Sequence, residues 1–173
     1  MSLMALALLS GVTTQAGAMS VEVSNLPGLF EATCLDGQAK LSKGEVTAIS
    51  FDQLPPSLKG SLGRPASAKV WKLNTSGRAY LYVLDFAGGA GSSPKVCGLA
   101  SDTMDLTSAS NALEMRVAGG IEPNRARTMQ WVNAKDGYVA TATTAAQFNV
   151  LQISWLSEAD RTAALVQADQ VQH

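Results

Sequence analysis

The groups with the greatest chemical potential in this sequence surround one glycine-rich segment. Asp85 precedes Gly88-Gly89-Ala90-Gly91, and Ser92, Ser93 and Lys95 follow it. Ser92-Ser93-Pro94-Lys95 satisfies the S-x-x-K spacing of penicillin-recognising enzymes, in which a helix sets lysine one turn beyond the nucleophilic serine. Here Pro94 intervenes and a strand-like run follows, so Ser92 and Lys95 share no helical face. Neither Ser-Asp-Asn nor Lys-Thr-Gly occurs elsewhere. A phosphate cradle fails on similar grounds, because a P-loop needs Gly-Lys-Ser/Thr leading into a helix N-terminus. A hairpin connection explains the segment better than either chemistry. Asp85 interrupts an otherwise apolar strand. If buried there it needs a cation such as Lys95 or Arg78 and acquires a perturbed pKa; otherwise it is a strand-end aspartate facing solvent. Asp85, Ser92, Ser93 and Lys95 are therefore the candidate ligand-facing residues, with no catalytic residue assigned.

Several reaction classes are disfavoured by composition. The one histidine is His173, beyond the last patterned element, where no rigid shell holds an imidazole for Ser-His-Asp or Cys-His chemistry. Two cysteines and that histidine make no four-ligand zinc shell, so no metal is expected, and no cofactor motif is found. Cys34 and Cys97 lack a C-x-x-C partner and stand 63 positions apart. In an exported chain they are expected to form a disulfide.

Export is suggested by the first eighteen residues, which carry no charged side chain and hold a Leu3–Val12 apolar run before Ala16-Gly17-Ala18. That is the small-x-small pattern of a signal peptidase site, although the usual basic n-region is missing. Residues 1–18 are thus read as a signal peptide and 19–173 as one domain. The 13 basic and 14 acidic residues nearly cancel, and Arg116, Arg125 and Arg127 are the nearest approach to a basic cluster. No nucleic-acid partner is expected, because such binding needs a concentrated basic surface. No second apolar stretch has membrane length, so no membrane insertion is expected after cleavage.

Positioning these groups falls to alternating strands. Arg78–Phe86 is apolar on both faces, with Tyr80, Tyr82, Leu84 and Phe86 opposite Ala79, Leu81 and Val83, as in a strand covered on both sides. Lys95–Ser101 pairs with it, Cys97 and Leu99 sharing a face. Ala68–Leu73, Thr128–Asn133, Gly137–Thr143 and Phe148–Trp155 read as further strands, and Ile121–Ala126 as a loop. Leu26–Cys34 reads as a short helix and Asp52–Gly63 as a turn with one or two helical turns. The main helices are expected over Asp102–Val117, capped by Thr103, Thr107 or Ser108, and from Ser157 onward, fraying after Val166. The aromatic residues are expected mostly in the core, or on a ligand platform if several share an open side. No internal repeat is evident beyond the strand count. The expected class is α+β: a mostly antiparallel sheet of about six strands, two main helices in β3-α-β3-α order and a short N-terminal helix.

These features together suggest a small exported, non-catalytic binding or accessory protein of a bacterial envelope or secretome. Its partner, an unknown protein or small molecule, is not identified by any motif. The alternative is a histidine-independent hydrolase using Ser/Lys or carboxylate chemistry near residues 85–95.

Overall fold

The computed structural model describes residues 20–37, 41–87, 95–117, 122–125, 128–133 and 135–171. Alternating apolar side chains produce the strands β1 (Val46–Ile49), β2 (Ser67–Asn74), β3 (Arg78–Asp85) and β4 (Lys95–Ser101). A second set follows: β5 (Glu122–Arg125), β6 (Thr128–Asn133), β7 (Tyr138–Ala145) and β8 (Phe148–Trp155). The helices are α1 (Leu26–Phe30), extended by a π-type turn over Glu31–Leu35, α2 (Pro56–Leu62), α3 (Leu106–Val117) and α4 (Glu158–Val171). All eight strands join one sheet in the order β1-β2-β3-β4-β8-β7-β6-β5, and every neighbouring pair is antiparallel. The α+β class holds, with two more strands than expected. β1 and β5 are the additions: both are four-residue edge strands. Residues 122–125 therefore pair with β6 rather than forming a loop. Their Pro123 disguised them in the sequence, since proline is tolerated only at a sheet edge.

The strand order reads alike from either edge. A helix followed by a four-strand meander occurs twice, α1 before β1–β4 and α3 before β5–β8, and the meanders join along β4 and β8. This duplicated topology is the repeat that residue identities concealed. The halves differ between their first two strands, where only the first inserts α2.

Each face of the sheet carries its own core. On the front, Leu26 and Phe30 of α1 and Ala109, Leu113 and Val117 of α3 pack onto Leu81, Cys97, Leu99, Trp131, Ala140, Leu151 and Ile153. On the back, Leu58 and Leu62 of α2 cover Val70, Tyr80, Tyr82, Leu84, Phe148 and Val150. Complete burial of a leucine such as Leu58 contributes about 1.5–3 kcal/mol. β3 is apolar on both sides because both sides are covered.

Helix starts correct the sequence reading in detail. Asp105 caps α3, its Oδ2 accepting from the Ser108 amide at 2.7 Å, instead of Thr103, Thr107 or Ser108 doing so. At α4 the Ser157 hydroxyl accepts from the Asp160 amide at 3.1 Å and donates to the Asp160 carboxylate at 2.6 Å, in keeping with a helix that opens at Ser157. The helix then continues to Val171, past the fraying point expected after Val166. No helix among the described residues is long and apolar enough to cross a membrane.

Candidate functional site

Cross-strand register assembles the site. Ser67 of β2 stands opposite Asp85 of β3, and Asp85 opposite Lys95 of β4. Val96 stands opposite Ser154, which sets Lys95 beside Trp155 of β8. Trp155 faces Tyr138 of β7, and Tyr138 faces Asn133 of β6. Side chains alternate along a strand, and Asp85, Lys95, Trp155, Tyr138 and Asn133 lie two positions from the front-core residues Val83, Cys97, Ile153, Ala140 and Trp131, while Ser67 shares the face of Asp85 opposite it. The result is a row on the front face, crossing six strands and about 24 Å at the usual strand spacing. It runs Ser67, Asp85, Lys95, Trp155, Tyr138, Asn133, polar and aromatic at the margin of an apolar face.

The helices close the Trp155–Tyr138 part of this row into a cleft of about 210 Å³, lined by Cys34, Leu35, Arg116, Asp136, Tyr138, Ile153 and Trp155. One wall is fixed covalently: Cys34, on the turn that extends α1, is disulfide-bonded to Cys97 of β4, with Cα atoms 5.5 Å apart. The helix is thereby tied to the central hairpin, as expected from the sequence. Across the helix ends, Arg116 at the C-terminus of α3 donates to Asp36 Oδ1 at 2.5 Å. That hydrogen bond, with the Asp36 charge, raises the Arg116 pKa, so the guanidinium is charged at any working pH. Glu31 lies in the same field. Burial raises its pKa, and the Asp36 charge adds to the rise while the Arg116 charge opposes it.

The opposite wall is the β6–β7 turn. Asn133 Nδ2 donates to Asp136 Oδ2 at 2.9 Å and to the Tyr138 hydroxyl at 3.2 Å, while Asn133 Oδ1 accepts from the Asp136 amide at 2.9 Å. Gly137 closes the turn at φ 76°, a conformation that favours glycine, and its amide donates to the Asn133 carbonyl at 2.8 Å. Arg161 of α4 donates to the Lys135 carbonyl and braces this turn from outside. Burial raises the Tyr138 pKa, opposed by the Asn133 hydrogen bond; the Asp136 charge raises it further and the Arg116 charge lowers it. The phenol is therefore neutral at physiological pH, accepting from Asn133 and retaining its own O–H as a donor.

Of the candidates from the sequence, Asp85 and Lys95 lie on the row but outside the cleft lining. Asp85 takes the Ser67 hydroxyl as its hydrogen-bond partner, at 2.8 Å, rather than Lys95 or Arg78. The Lys95 ammonium sits 5.8 Å from the centroid of the Trp155 ring, a cation–π arrangement at the rim of the cleft. Ser92 and Ser93 lie outside the described residues, as do the glycine segment, Arg127, His173 and the leader.

Sequence reasoning missed Arg116, Asp136 and Tyr138 as site residues. Asp136-Gly137 is a hairpin-turn pair by residue type, but its carboxylate joins a cleft only because β7 and α3 converge there. The aromatic residues divide: Tyr80, Tyr82 and Phe148 belong to the back core, whereas Tyr138, buried in the front core, and the partly buried Trp155 also line the cleft. No protein-family model, curated protein or solved structure matches the chain.

Proposed function

We propose that this protein is an exported, non-catalytic binding or accessory module that takes its ligand in the Arg116–Asp136–Tyr138–Trp155 cleft. The observation that carries the reading is the convergence of these four side chains around a cavity whose wall is stapled by Cys34–Cys97. A covalently fixed wall lowers the ordering cost of binding, as preorganised sites do. The disulfide is compatible with a non-cytoplasmic setting, where such bonds persist, and the uncharged, apolar leader supports export to an envelope or extracellular compartment. The hydrolase alternative has less support. It needs an activated nucleophile, whereas Asp85 is engaged by Ser67 and Lys95 lies against an indole ring.

Two measurements test the proposal. Intact mass after export should begin at Met19, with both thiols protected until reduction; a full-length chain with two free thiols would overturn the export reading. Native mass spectrometry after incubation with envelope extract should show a stoichiometric, unconverted ligand that is absent from Trp155→Ala. An adduct that persists unchanged in Trp155→Ala, or a clean negative across extracts, would overturn the binding role of the cleft.

A further inference from the structure

We infer that the cleft selects a small zwitterion of amino-acid size, its carboxylate gripped by Arg116 and its ammonium set against Asp136. The inference rests on the cleft being the ligand site. Arg116 commits one N–H to Asp36 Oδ1, yet a guanidinium carries five, and half of its side chain is exposed. The remaining donors suit a carboxylate, which arginine binds through paired N–H groups. On the facing wall, Asp136 accepts from Asn133 through Oδ2, and its exposed carboxylate has a second oxygen for an ammonium.

Opposed charges in one small cleft restrict what can enter. A plain anion drawn to Arg116 meets the like charges of Asp36 and Asp136, and a plain cation drawn to Asp136 leaves the remaining Arg116 donors unanswered. A ligand with both charges at opposite ends answers both side chains, its ammonium offsetting the acidic wall that repels a plain anion. Size follows from volume: 210 Å³ falls below the roughly 300–1,000 Å³ of pockets that take drug-sized ligands, which suits one small molecule. Ile153, Leu35 and the Tyr138 and Trp155 rings offer an apolar surface to its side chain. Lys95, already over the Trp155 ring, disfavours a basic side chain there. The expected ligand is thus an amino acid with an uncharged, apolar side chain.

The test is thermal unfolding of the full chain in the presence of each standard L-amino acid, alongside the matching decarboxylated amine and deaminated acid. An apolar amino acid should raise the unfolding midpoint by several degrees, and its amine and acid counterparts should not. Asp136→Asn preserves the oxygen that accepts from Asn133 and should weaken binding about tenfold, the loss of one charged contact. Equal shifts from an amine or acid alone, or no shift with any amino acid, overturn the inference. If an extract-derived ligand still occupies the cleft of the unaltered protein, only the zwitterion assignment falls; an empty cleft in both experiments removes the binding reading too. The panel on unaltered protein decides the question should Asp136→Asn fold poorly.

Discussion

Tyr82 and Gly98 are a pair that the alternation pattern alone does not reveal. The two stand opposite on β3 and β4, and the Tyr82 ring lies across Gly98 to place its hydroxyl 3.2 Å from Gln152 Oε1 on β8. Burial drives the Tyr82 pKa up, so the phenol stays a neutral donor. A β-carbon at Gly98 would overlap that ring. Gly98→Ala should therefore cost about 1–3 kcal/mol, the range for overpacking, measurable by urea unfolding. The opposite sign is expected at Ala146, in the β7–β8 turn, which holds φ 54° although it is not glycine. Relief of that left-handed strain exceeds the added chain entropy of glycine, so Ala146→Gly should gain about 0.5–1 kcal/mol in the same assay. Charge matters at Asp102, whose two carboxylate oxygens accept from the Arg78 backbone amide and side chain at 2.8 Å each. The Arg78 side-chain hydrogen bond chiefly lowers the Asp102 pKa below its ordinary value of 3.8. The stability this supplies is fully present above pH 3.8 and disappears as pH falls through the depressed value. Asp102→Asn should then cost up to about 1 kcal/mol near neutrality, limited by solvent screening, and the cost should vanish in strong acid.

Helix α1 is too short to persist alone, since isolated helices of fewer than about twelve residues are marginal in water. Two attachments hold it: Leu26 and Phe30 in the front core, and the bond from Cys34 to Cys97. Closing a loop across 63 positions contributes about 4 kcal/mol in the chain-entropy model. A Cys34→Ser, Cys97→Ser variant should lose a large part of that in denaturant titration. It should also bind more weakly in the cleft than its residual stability predicts, because the freed turn carries Leu35 and Cys34 of the lining. A loss of stability with unchanged affinity would show that the staple does not organise the site. The helix and its tie to the hairpin were both readable from the sequence, through Leu26, Phe30 and Cys34 at four-residue spacing. The interlocking of Asp36 with Arg116 was not, because it joins positions 80 apart.

At the level of the molecule, the two helix-and-meander halves share the front core: Leu81 and Leu99 come from the first, Leu151, Ile153 and Trp131 from the second. β4 and β8, the last strands of each half, are central neighbours, and separating them exposes apolar surface on both faces. Thermal unfolding should therefore be one cooperative event, with tryptophan fluorescence and far-ultraviolet dichroism giving the same midpoint. Distinct midpoints would show that the halves are independent domains. The paired cysteines and the α+β class follow from sequence because they rest on local signals: period-two alternation, helical spacing, glycine stops and an even cysteine count. Residues 85 and 95 also drew attention locally, as a charge interrupting an apolar strand and a lysine after a glycine segment. The fold placed both at the margin of the site and put Arg116, Asp136, Tyr138 and Trp155 around the cleft instead. Those four come from α3, the β6–β7 turn, β7 and β8, and nothing within any one segment distinguishes them from surface charge or core aromatics. Local periodicity dictates which face of a strand is apolar, whereas the strand order and register decide which polar residues meet at its end.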